Sequence, residues 1–121
     1  MPAPPQSYRV AAAWTLIVAI GVLSLLPKEE MVRTGLGGHI EHVLAYAGTA
    51  AVVAYAYGVR RAPVFTVGLI AYAGVLEFLQ RFSPGRVSSI EDFAFSAIGV
   101  LLGLALFAIA DWIVPLAPGD A

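Results

Sequence analysis

Four apolar runs, at positions 8–26, 40–59, 64–80 and about 90–112, are separated by short connections that hold most of the charge. This spacing constrains the solvent before it constrains the fold. Each run approaches the ~20 residues that carry a helix across a hydrocarbon core of about 30 Å. In lipid no water can satisfy backbone N–H and C=O groups, so such a run becomes a helix. Composition agrees: 60% of the 121 residues are hydrophobic, 12% are charged, and the mean hydropathy is +0.83. Soluble domains carry about 25% charged residues. A chain this short cannot enclose so much apolar surface in one aqueous core. The sequence predicts an all-α membrane protein, a bundle of four transmembrane helices.

The order along the chain is simple. Positions 1–7, proline-containing and polar, read as a disordered N-terminal arm. Positions 8–114 form the four-helix transmembrane domain, and 115–121 form a polar C-terminal tail. Arg9 before an apolar run resembles a signal peptide, but Pro27-Lys28-Glu29-Glu30 follows Leu26 where a small-residue cleavage site would stand, so the first run is expected to remain. Pro63 suits the first turn of the third helix, and Pro84-Gly85 marks a turn before the fourth. Ser88 or Ser89 caps that helix, with Glu91 and Asp92 favourable in its first turn.

Several function classes fall away. A net charge of −1 gives no electrostatic case for nucleic acid. With no cysteine there is no disulfide, thiolate zinc site or cysteine nucleophile. No Gly-rich phosphate loop or nucleophile elbow is present, and no cofactor is expected.

Consecutive spans alternate direction, so the first and third connections share a membrane face. That places His39, Glu41, His42, Glu77, Gln80, Arg86, Glu91 and Asp92 together. Arg9, Arg60 and Arg61 lie on the opposite, terminal side; Lys28, Arg33, Arg81 and Arg86 lie on the loop side, where some are open to a role in the site. The raw Lys and Arg count slightly opposes cytoplasmic termini. The tight Arg60-Arg61 turn nevertheless looks like a cytoplasmic anchor. The reading adopted is an integral, multi-pass protein of the cell membrane with both termini inside and the polar cluster on the outer face.

Helical spacing sorts the polar residues onto faces. His39, His42 and Tyr46 fall at i, i+3 and i+7; Glu77 and Gln80 at i, i+3; Asp92, Ser96, Gly99 and Gly103 at i, i+4, i+7 and i+11. The simplest assembly turns these faces inward. Gly99 and Gly103 form a small-xxx-small pair that lets helix backbones approach, closing the bundle below a polar pocket. A carboxylate such as Glu77 is costly against lipid and needs a partner, water or a proton; the bland alternative is a hydrogen bond linking helices. Arg86 suits bidentate binding of phosphate or carboxylate, or else anchors the interface or pairs with Asp92. Imidazoles at i, i+3 can share a metal, but the spacing is not that of a metalloprotease helix, and no metal site is expected.

Together these residues make a pattern. Ser24-Leu25-Leu26-Pro27, Glu41-His42-Val43-Leu44-Ala45-Tyr46, Glu77-Phe78-Leu79-Gln80, Pro84-Gly85-Arg86, Asp92, Gly99 and Gly103 resemble the VanZ-like family of small membrane proteins, from the end of the first helix into the fourth. The family's succession here is E-x-x-Q, P-x-R, D and G-x-x-x-G. Two positions depart from it. Gly38-His39 stands where an Asp-Lys pair is common before the histidine aligned with His42, and Ser96 stands where asparagine is frequent. If that lysine holds an anion, His39 replaces it only when protonated, making binding pH-dependent. The resemblance implies a cell-envelope role associated with resistance to the glycopeptide antibiotic teicoplanin, but no reaction.

The leading expectation is a non-enzymatic envelope protein that binds an anionic lipid or glycolipid head group. Its ligand-binding candidates are His42, Glu77, Gln80, Arg86 and Asp92, with His39, Glu41, Tyr46 and Ser96 secondary. The expected partners are membrane lipids, with a lipid-linked cell-wall precursor or a glycopeptide as further possibilities and a homo-oligomer left open. One alternative is a membrane enzyme acting on a lipid-linked phosphate, with Glu77 or His42 as general base and Arg86 stabilising phosphate charge. Another is an assembly factor whose polar cluster is structural.

Overall fold

The computed structural model describes residues 2–116. Within them the chain forms four α-helices and no strand: α1 (Gln6–Leu25), α2 (Gly38–Tyr57), α3 (Ala62–Leu79) and α4 (Ile90–Ile113). Short 3-10 turns at Lys28–Glu30, Val59–Arg61 and Gln80–Phe82 join them. Helix α1 starts at Gln6, within the expected arm, and α2 starts at Gly38, so that His39 lies inside it. Met1 and residues 117–121, most of the expected tail, lie outside the described residues.

Local chemistry explains the helix ends. Leu26, before Pro27, leaves α1 in extended geometry (ψ 143°), as the clash with a following proline ring requires. Gly58 closes α2 at φ 94°, a conformation that disfavours side chains, and donates its N–H to the Ala54 carbonyl at 2.8 Å. Pro63 sits in the first turn of α3. Ser89 caps α4: its Oγ accepts the Asp92 N–H at 3.2 Å, while Glu91 and Asp92 face the positive end of the helix dipole.

Helices α2 and α4 pack backbone to backbone. A Cβ added at Gly99 would stand 2.6 Å from the Val43 carbonyl oxygen, and one at Gly103 would overlap the Ala47 carbonyl. Around this seam Tyr46, Ala50, Val53 and Val100 are buried with Ala13 and Ile20 of α1 and Leu69, Ala73 and Leu76 of α3. Helix α1 is tied to α3 where Tyr72 Oη donates to the Ile17 carbonyl at 2.6 Å.

The outer surface is apolar. Trp14, Val18, Val67, Leu101, Leu106 and Ile109 all stand exposed, more than a soluble monomer presents in water. Three helical segments are long and apolar enough to cross a membrane: α1, Val59–Phe82 around α3, and α4. Helix α2 is as long as α1 but carries Glu41, two histidines and three tyrosines, and is not among them. Four helices are thus present, three of them with the length and composition of a span.

Candidate functional site

The two ends of the bundle are held differently. At the end holding the N-terminus of α1, Gln6 Nε2 donates to the Ala56 carbonyl at 3.2 Å and Arg9 Nη1 to the Tyr55 carbonyl at 2.6 Å, clamping α1 to the last turn of α2. Arg9 is buried there, over the Tyr55 ring. At the opposite end α1 turns to a different partner. Ser83 Oγ donates to the Leu25 carbonyl at 2.8 Å, Arg86 Nη1 to the Leu26 carbonyl at 3.3 Å, and the Lys28 N–H to the Pro84 carbonyl at 2.9 Å. There α2 leans instead on α4, through His39 and His42. A cavity of about 700 Å³ lies between α1 and α2 at this end, lined in part by the 31–34 segment.

Its polar lining comes from five parts of the chain, Ser24 of α1 among them. Lys28 and Arg33 enter from the first connection, Glu41 and His42 from α2, Gln80 and Arg86 from the segment after α3, and Asp92 from α4. Tyr46, only 3% exposed, forms part of the wall.

Glu41 is fully engaged. It accepts from Thr34 N–H at 2.6 Å and Thr34 Oγ1 at 2.8 Å, and pairs with Arg33 Nε at 3.0 Å. It thereby fastens the covering segment to α2. His42 is oriented from behind: its Nδ1 lies 2.9 Å from Ser96 Oγ, and that hydroxyl donates to the Asp92 carbonyl at 2.9 Å. Ser96 has one proton, so both bonds form only if His42 Nδ1–H is the donor to Ser96. This assignment leaves Nε2 of the neutral ring as an acceptor, 4.0 Å from Asp92 Oδ2. Ser96, His42 and Asp92 stand in series, but Ser96 is 2% exposed and does not line the cavity, so its hydroxyl is a support for the imidazole and no nucleophile for a ligand there.

The cationic side is less committed. Neither Lys28 nor Arg86 forms an ion pair among the described residues. Burial draws the Arg86 guanidinium down from its ordinary value while the nearby negative charge of Glu77 holds it up; an arginine so placed keeps its charge. Gln80 is 2% exposed, lines the cavity, and its side-chain amide has no hydrogen-bond partner among the described residues. Because Gln80 lines the cavity, that amide is placed to meet a polar ligand there. Two cations outside any ion pair, the Gln80 amide and an imidazole acceptor can together hold an anion bearing hydroxyls.

The structure thus brings His42, Gln80, Arg86 and Asp92 of the expected residues to one cavity, with Glu41 and Tyr46. It places three others elsewhere. Glu77, 7% exposed, accepts the Ser89 N–H at 2.8 Å and lines a separate small cavity with Arg81 and Ser88. His39 stacks on Phe95 (ring centroids 4.3 Å apart) and faces Glu91 and Asp92 at 3.5 and 3.6 Å, away from the main lining. Ser96 acts only through His42. Among the described residues no group of three or more His, Cys, Asp or Glu is arranged to hold a metal ion. Lys28 and Arg33, and Ser24 on the opposite wall, line the cavity but are not among the ligand-binding candidates read from the sequence. The signal is the clustering of cations in the first connection, which the sequence leaves open to a role in the site without choosing among them. No family model, curated protein or solved structure matches the chain.

Proposed function

We propose that the chain is a four-span membrane protein of VanZ-like type that binds the anionic head group of a membrane lipid or glycolipid in the cavity between α1 and α2. The observation that carries this reading is the meeting in one cavity of Lys28 and Arg86, neither in an ion pair among the described residues, with the side-chain amide of Gln80. Arg86 and Lys28 neutralise phosphate or carboxylate, Gln80 and His42 Nε2 meet hydroxyls or ester oxygens, and Asp92 sets the local field around the imidazole.

Helix α2 is the fourth span. Its glutamate and histidines sit at one end, and Thr49, Ala50, Val53 and Ala54 are buried against its neighbours, so less of it needs to be apolar to lipid. In the orientation favoured by the Arg60-Arg61 anchor, the cavity opens at the outer face of the cell membrane. A protein holding lipid-linked envelope material there changes access of a glycopeptide antibiotic to its target; expression then raises teicoplanin tolerance, and Arg86→Ala removes the effect at equal protein level.

The test is lipid co-purification. Wild type, Arg86→Ala and Gln80→Leu are purified in mild detergent and the bound lipids identified by mass spectrometry. The expected result is an anionic lipid on wild type that both variants lose while remaining folded. The same lipids in the same amounts on all three would remove the reading. A second reading, an assembly factor with a structural polar cluster, is favoured by one observation, the Glu77–Ser89 bond that fastens α3 to the start of α4.

A further inference from the structure

We infer that the cavity is filled from the side, out of the bilayer, by a lipid whose chain leaves between α1 and α2, so that the ligand is a long-chain amphiphile and not a soluble anion. This rests on the head-group reading above and adds the route and the tail.

Helices α1 and α2 are held by different partners at their two ends. The two helices are clamped at one end by Gln6, Arg9 and Trp14, whose Nε1 donates to Tyr57 Oη at 2.8 Å. At the other end α1 is held by the 83–86 loop and α2 by α4, and the cavity lies between the two helices there. Two residues that line the cavity also face outward: Leu23 of α1 is 48% exposed and Leu44 of α2 is 55% exposed. Ala45, beside Leu44, is exposed and lines the same wall. A residue that faces both the cavity and the lipid marks an opening between them.

The lining is graded along the helix axis. Lys28, Arg33 and Arg86 ring the polar end, while Ile20, Leu23 and Leu44 lie deeper, toward the middle of α1 and α2. A free phosphate would leave that apolar half facing water. An acyl or isoprenyl chain covers it, and its release of water is favourable in proportion to apolar area. The 31–34 segment, fastened by Glu41 to Thr34 and Arg33, forms part of the wall at the polar end.

The experiment measures binding of dioleoyl phosphatidylglycerol and of sn-glycerol 3-phosphate to the purified full chain by native mass spectrometry. The variants are Ala45→Trp and Leu23→Trp, on opposite walls of the opening, Arg86→Ala at the polar end, and Val67→Trp, on the lipid-facing side of α3 away from the cavity, as the control for an added indole. The expected result is at least tenfold tighter binding of the dioleoyl lipid than of glycerol phosphate by wild type and Val67→Trp. Retention of the lipid falls at least tenfold in Arg86→Ala and in either portal variant that folds. Equal affinity for lipid and glycerol phosphate would overturn the inference. So would full lipid retention by Ala45→Trp and Leu23→Trp with loss only in Arg86→Ala, which leaves the head-group reading standing. Equal lipid binding by all variants, Arg86→Ala included, would remove both.

Discussion

Replacing Gly99 by alanine places a Cβ 2.6 Å from the Val43 carbonyl oxygen and 3.1 Å from the Tyr46 Cβ. Ordinary contact begins near 3.4 Å, so α2 and α4 must part by about 0.8 Å along that line. The obstructing atoms are backbone and Cβ, and no rotamer change relieves them. Overpacking of this kind costs roughly 1–3 kcal/mol, and the better helix propensity of alanine offsets at most about 1 kcal/mol. The expected net loss is about 1–2 kcal/mol, roughly five- to thirtyfold in the ratio of folded to unfolded protein. Gly68→Ala in α3 is the matched control: nothing lies within 4 Å of its added Cβ, so only the propensity gain remains. Unfolding of both variants in mixtures of mild detergent and dodecyl sulfate, followed by far-UV circular dichroism, gives the comparison. Because Val43 adjoins His42, parting the helices also loosens the 2.9 Å contact between His42 and Ser96, and lipid retention falls with stability. A Gly99→Ala protein as stable as wild type or as Gly68→Ala would refute the account of a backbone-to-backbone seam.

Other consequences are testable in the same preparations. Glu77→Gln keeps an oxygen to accept the Ser89 N–H and is expected to fold nearly as wild type, whereas Glu77→Leu orphans that donor and costs about 1–3 kcal/mol by the same unfolding assay; equal losses would show that the charge, not the bond, matters. Ser89→Ala removes the acceptor for Asp92 N–H and should cost about 1 kcal/mol, with Ser89→Gly nearer to wild type. Arg86 stays protonated despite the downward pull of burial, so head-group retention through it is expected to hold level between about pH 7 and 9; a loss over that range would place the anion on a weaker base. The chain has no cysteine, so single cysteines at Val87, which is 80% exposed, and at Ala62 report the two faces by impermeant labelling; labelling of Ala62 from outside with Val87 protected would invert the proposed orientation.

The sequence by itself determined the four helices and their limits to within about two residues. Apolar run length, Pro27, Pro63 and the Ser89 cap are local signals, and local backbone chemistry answers to them. It also determined which polar residues lie at one end, because short connections between antiparallel helices leave no other choice. The tertiary structure decided which of those residues meet. Glu77 and Gln80 share a helical face by spacing, yet one holds the Ser89 N–H and the other enters the cavity, since a shared face does not fix which neighbour each side chain finds. Lys28 joins the site only because its backbone N–H binds the Pro84 carbonyl, some 56 positions away in the chain. The cavity lies at the end where Ser83 and Arg86 hold α1, opposite the end where Arg9 and Gln6 clamp α1 to α2. Those bonds link residues far apart in the sequence, and no periodicity within one helix encodes the angle between two.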